Sequence, residues 1–232
     1  MKIIIDREKI QRRARMAHIA SVGGMLILLG SVAVSLWQPG WTIPAGAMLF
    51  LGGAAAMTGI YYANRWVKRP RPEEVLDEAL KSLDDRHRLY HYNLLCDHLL
   101  LTPGSIVVIE TVNLEGRFDY RGGKWHQKIT AGRAMRFFVE EKLGDPIKRA
   151  QETAWQIKAL VVETVPEALA LEAHAMVVFT NPFAVLNVEN PPIPVCGPKK
   201  LRSRLPKTNV RLATDVLIQV QERLDRLAIR KT

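Results

Sequence analysis

From Met16 to Asn64 the chain is apolar, small or uncharged at every position, with no Lys, Arg, Asp or Glu. The single break, Gln38-Pro39-Gly40-Trp41, carries the proline and glycine of a turn. Two apolar helices are therefore expected at about 17–37 and 42–63. Beyond Pro72 the pattern changes period. Glu73 and Glu74 open a short helix to about Leu83, with negative charge at the favourable end. Strand-like runs follow at 89–95, 97–101 and 105–112, the last two joined by a Pro103-Gly104 turn. A further strand is expected near Arg117–Arg121, between Gly116 and Gly122-Gly123. Ile147, Ala150, Ala154, Ile157, Leu160 and Val161 then recur with helical spacing over 146–162. Core strands at 175–180 and 184–188 end at Asn181-Pro182 and Asn190-Pro191-Pro192. Helices around 198–205 and 210–229 close the chain, the latter with a core stripe of Val216, Val220 and Leu224.

Charge sharpens this picture. Of the net +10, most lies in the first 71 residues, which hold ten Lys and Arg against two acids. The remainder is close to balance, so the basic pI reflects flanks of an apolar segment and not a nucleic-acid-binding surface. Each apolar stretch approaches the roughly 20 residues that a helix needs to cross a bilayer. Trp37 and Trp41 mark one boundary, and Tyr61, Tyr62 and Trp66 the other. Lys and Arg precede the first stretch and follow the second, whereas the connecting turn has none. The positive-inside rule then gives an integral membrane protein with two spans, and with both termini and the soluble domain cytoplasmic. Gly46, Gly52, Gly53, Ala54, Ala55, Ala56 and Gly59 suit close helix approach, in a hairpin or between copies. The competing assignment is a cleaved signal peptide ending near Ala33-Val34-Ser35, but a second apolar stretch follows at once. Cys96 and Cys196 lack metal-like spacing and agree with a reducing compartment. The expected organisation is a basic N-terminus over 1–16, a two-helix hairpin over 17–66, a linker and short helix over 67–84, and one α/β domain over 85–232.

The candidate chemistry centres on two acids. With Pro103 and Gly104 as the central turn residues, cross-strand partners sum to 207, which places Asp97 opposite Glu110. Like charges so placed repel unless something positive lies between them. The strand around Glu110 is apolar on both faces, so this acid needs a partner or a raised pKa. A divalent cation would serve both carboxylates; an arginine such as Arg117 or Arg121 would serve Glu110 alone. A one-residue register shift would separate the acids. His87 and His91 share strand parity with Asp97, but His91 is too far along an extended strand to share a metal with it, so strand-surface histidines are expected. The basic stretch Lys199, Lys200, Arg202, Arg204, Lys207 and Arg211 is expected to be a solvated helix face.

The run from Cys96 to Glu110, with Gly116 and Trp125, resembles the core of the nuclease-related domain (NERD) family. Asp145-Pro146-Ile147 resembles the Asn-Pro pair that opens that family's central helix. Val177 to Pro182, Pro194-Val195 and Lys200-Leu201 resemble its closing strand and helix, so the likeness spans roughly 85–206. The family is similar to the PD-(D/E)xK nucleases. The resemblance therefore implies a mixed β-sheet flanked by helices, a restriction-endonuclease-like core, here behind a transmembrane hairpin.

It also implies that Asp97 and Glu110 hold Mg²⁺ for phosphodiester hydrolysis, with a lysine two residues after the Glu. That position is Val112, which shares the face of Glu110 but carries no charge. Arg149 stands where the family usually has Gln. Lys124, Lys128 or Lys148 could relocate the missing ammonium, and Lys128 is taken as the third catalytic candidate. The expected protein is thus a membrane-anchored binding or scaffold module derived from a nuclease, weak or inactive as an enzyme. The alternative is a tethered Mg²⁺-dependent nuclease acting on DNA or RNA. Expected partners are the lipid bilayer and a protein of unknown kind; nucleic acid is not supported by the domain's charge.

Overall fold

The computed structural model describes residues 1–128 and 143–229. It divides into two compact units. One comprises Met1–Arg7, Pro72–Lys128 and the chain from Leu143; the other includes Glu8–Arg71.

The first unit is built on a six-stranded mixed sheet. Strands β1 (Lys2–Ile5), β2 (Arg88–His91), β3 (His98–Leu101), β4 (Ser105–Val112), β7 (Glu172–Phe179) and β9 (Val195–Cys196) lie side by side in that order. β2, β3 and β4 run antiparallel as a meander, whereas β1 on β2, β7 on β4 and β9 on β7 are parallel. A smaller sheet is made of β6 (Lys124–Lys128), β5 (Gly116–Arg121) and β8 (Ala184–Val188). Gly122 and Gly123, both with positive φ (57° and 76°), form the β5–β6 turn.

Period-two alternation explains how this sheet carries helices on both faces. Ile106 and Val108 of β4, Leu99 and Leu101 of β3 and Tyr90 of β2 pack on one face against α4 (Pro146–Thr164) and α6 (Thr214–Ile229). Val107, Ile109, Leu100 and Leu89 pack on the other against α3 (Pro72–Leu80) and α5 (Pro198–Arg204). Val112, Phe118, Ile147, Val177 and Phe179 form a third cluster that joins the smaller sheet to the end of β4. The turn at Pro103-Gly104 tolerates no side chain at Gly104, whose Cβ would lie 1.8 Å from the Val210 carbonyl oxygen.

Two features depart from the sequence expectation. Lys2–Ile5, read as part of a basic N-terminus, is a strand of the sheet, in register from Lys2 opposite Arg88 to Ile5 opposite His91. Residues 92–95, read as continuing a strand, instead turn away: Tyr92 has φ of 65° and its N–H donates to the Asp97 carbonyl at 2.7 Å.

The second unit holds α1 (Arg7–Trp37) and α2 (Thr42–Trp66), each long and apolar enough to span a membrane. Leu26, Leu29, Ile43 and Phe50 are exposed, unlike the residues of a soluble core helix. Buried positions recur every seven residues, at Ala17, Gly24 and Ser31 on α1 and at Ala45, Gly52 and Gly59 on α2. This is the seam of two antiparallel helices in coiled-coil contact. A Cβ at Gly59 would lie 2.3 Å from Ser21 Oγ, and one at Gly24 2.5 Å from the Ala56 nitrogen. Small residues thus let the backbones touch, and Ser31 Oγ donates to the Ala45 carbonyl at 2.7 Å.

Candidate functional site

The hairpin register is the expected one. Leu99 faces Val108, Leu100 faces Val107 and Leu101 faces Ile106, so partners sum to 207. Asp97 lies one residue before β3 and is half-buried. Glu110 is the sixth residue of β4, opposite Val177 of β7, and lies between Val108 and Val112 on the α4 side of the sheet.

Helix α4 supplies the partner of Glu110. Asp145 caps the helix, its side chain accepting from the Lys148 N–H at 3.1 Å, and Pro146 fixes the first turn. Ile147, Ala150 and Ala154 then pack inward. This phase brings Arg149 to the sheet, where its Nε donates to Glu110 Oε1 at 2.9 Å. The guanidinium also donates to the Leu143 carbonyl from Nη1 at 3.3 Å and from Nη2 at 3.4 Å. Glu110 is 24% exposed and Arg149 48%, so the pair is partly shielded from solvent.

Neither arginine proposed from the sequence reaches Glu110. Arg117 Nε lies 3.5 Å from Asp119, and Arg121 Nε 3.1 Å from Glu189. The Asn187 amide, then Arg117, hold the Asp119 carboxyl below its ordinary value. Val112, at the family's lysine position, is 4% exposed and sits in the apolar cluster that links the two sheets. Lys124 is exposed at the start of β6, and Lys148 is exposed with its Nζ 3.8 Å from Glu152. Lys128 ends β6 opposite Arg117; its side chain lies outside the described residues.

The histidines are a correction. His91, expected on the strand surface, is fully buried, as is His98, whereas His87 is half-buried with its Nδ1 2.7 Å from Asp84 Oδ1. The turn over 92–97 resets the alternation, so His91 and His98 both face α3, on the side of the sheet opposite Glu110. Their Nδ1 atoms are 2.7 Å apart, and His91 Nε2 is 2.9 Å from Asp77 Oδ1 on α3. A contact of this length is a hydrogen bond in which one Nδ1 donates and the other accepts. Tyr92 stacks edge-on against His98 at 5.0 Å and donates to Glu73 at 2.9 Å. The sequence offered no signal for this cluster, because Asp77 and the histidines meet only through the docking of α3.

A half-buried Glu on the central strand, a helix-borne cation beside it and an acid at the mouth of the preceding hairpin occupy a mixed sheet flanked by helices. Residues 70–180 match the family model of the nuclease-related domain. The match takes in Asp97, Glu110, Val112 and Arg149, and the fold agrees with the restriction-endonuclease-like core expected of that domain. β1, β8, β9, α5 and α6 lie outside the matched residues. No curated protein and no solved structure matches the chain. Nuclease-related domains are generally metal-dependent. Among the described residues, no three His, Cys, Asp or Glu side chains gather as a metal-binding group.

Proposed function

We propose that the chain is a membrane-anchored nuclease-related-domain protein whose hydrolytic site has closed, leaving a binding or scaffold module. The ion pair between Arg149 and Glu110 carries this reading. In the parent chemistry the glutamate neutralises a metal ion that activates water and polarises the phosphoryl group. Here its Oε1 accepts from a guanidinium that is itself held by the Leu143 carbonyl. A divalent ion would have to displace that cation and bring coordinating oxygens with it. As folded, Glu110 is neutralised by a guanidinium and not left open for a resident Mg²⁺. The buried Val112 supports the same conclusion, since an isopropyl group in an apolar cluster neither orients water nor stabilises charge.

Two features support the anchor. Both ends of the α1–α2 pair join the same folded unit, through β1 on one side and α3 on the other. That connectivity requires an even number of crossings. Lys and Arg gather before the first apolar stretch and after the second, which supports a domain on the cytoplasmic side.

The test is cleavage of single- and double-stranded DNA and RNA by the full chain in nanodiscs with Mg²⁺ or Mn²⁺. The reading expects no cleavage beyond that of a Glu110→Gln variant. Metal-dependent cleavage that disappears in Glu110→Gln establishes instead a tethered nuclease with a relocated basic group.

A further inference from the structure

We infer that the cationic surface of α5 and the segment after it is a second membrane contact, one that binds the phosphate of anionic lipid headgroups. The inference rests on the anchored reading above.

The sequence from Asn190 to Thr214 contains no Asp or Glu and six cations: Lys199, Lys200, Arg202, Arg204, Lys207 and Arg211. All six are exposed, and no ion pair engages any of them among the described residues. The geometry of α5 explains the arrangement. Leu201 is fully buried against Leu76 and Leu80 of α3, so at 100° per residue Lys199 lies nearly opposite it and Lys200 and Arg202 on its two flanks, while Arg204 is exposed at the end of the helix. A surplus of like charges without counter-ions carries a repulsive cost that an anionic surface relieves.

Chain connectivity makes a lipid surface the natural occupant. Five residues, Val67 to Arg71, separate the end of α2 from α3, and three of them are basic. At about 3.3–3.6 Å per residue, α3 can begin no more than about 20 Å beyond the membrane helix. α5 packs on α3 at a helix–helix spacing of about 8–10 Å. On the other strand of the tether, Asp6 alone separates β1 from α1. The charged start of α1, Arg7–Arg15, rises roughly 13 Å before the uncharged run begins. The domain is thus held at a headgroup layer whatever its orientation, and the effective concentration of anionic phosphate there is high. A nucleic acid would find the same charges, but it would have to be recruited from solution by a domain of nearly balanced charge.

Amide hydrogen exchange over 198–213 of the full chain tests this, in nanodiscs of phosphatidylcholine and of phosphatidylcholine with phosphatidylglycerol. Anionic discs should slow exchange there about fivefold or more, the fold-change for one engaged cation near such a surface. High salt should reverse the slowing. The exposed quadruple variant Lys199→Gln, Lys200→Gln, Arg202→Gln, Arg204→Gln should show no difference between the two lipids, with exchange in β4 and α4 unchanged. Equal exchange of the native chain in both discs overturns the inference. So does protection given by added RNA or DNA in neutral discs but not by anionic lipid. Carbonate washing of vesicles separates the two levels: a chain that washes off refutes the anchor and this contact together, whereas a retained chain with unchanged exchange refutes the α5 contact alone.

Discussion

Replacing Val112 with lysine restores the charge that a PD-(D/E)xK-like site requires, and it distinguishes a closed site from an open one. Val112 is 4% exposed and packs with Leu114, Phe118, Ile147, Val177 and Phe179, with Phe179 directly across the parallel pair. The longer stem overfills this space, at a typical cost of about 1–3 kcal/mol. The ammonium adds a desolvation penalty of several kcal/mol unless the side chain threads out past the half-buried Thr111. A net loss of about 3 kcal/mol is expected, a drop of roughly 6–12 °C in melting temperature for a chain of this size. Trp125, 5.6 Å from Phe179, reports on this cluster by fluorescence. Val112→Met, with a stem as long as that of lysine but no charge, should carry only the overfilling cost of about 1–3 kcal/mol. A Val112→Lys chain that melts with the parent and gains metal-dependent cleavage would refute the closed-site argument.

Other consequences concern the hairpin and the thiols. Gly59→Leu should destabilise the full chain in nanodiscs by about 1–3 kcal/mol, because its Cβ would lie 2.5 Å from the Ser21 nitrogen. Gly53→Leu, with open space around its Cβ, should leave thermal unfolding unchanged. Burial pushes the Cys196 thiol from 9.0 up to about 11, whereas Cys96 is half-buried. A thiol reagent at pH 8 should therefore label Cys96 rapidly and Cys196 only on unfolding. Because the native state holds this proton more tightly, stability is full below about pH 9 and falls as pH rises toward 11, by up to about 2–3 kcal/mol. Denaturant unfolding across that range should show the slope, and Cys196→Ala should lack it.

The legible parts of the molecule were those governed by local period and turn chemistry. Pro103-Gly104 set the register that places Leu99 against Val108, and Gly122-Gly123 ended the strand expected over 117–121, though the strand β6 that follows them was not expected. The charge-free run defined α1 and α2 almost to the residue at the inner turn. What escaped was long-range. Nothing in Lys2–Ile5 states that it pairs with a strand more than eighty residues later, across an intervening pair of long apolar helices. Arg149 was visible as a departure from a motif, but its partner depended on the phase of α4 over β4, which sets Arg149 rather than Lys148 above Glu110. The histidines were misread because alternation was carried through residues 92–97, where the positive φ of Tyr92 breaks it.

Arg149 donates to Glu110 at 2.9 Å, and the proposed closed site has this guanidinium in the place of a metal ion. Melting the full chain against rising Mg²⁺ or Mn²⁺ tests it most directly, since a ligand present at 100 times its Kd stabilises the folded state by about 2.7 kcal/mol. The native chain should show no rise, and a metal-dependent rise should follow only after Arg149→Ala exposes the carboxylate. A rise of several degrees in the native chain, abolished by Glu110→Gln, would contradict it.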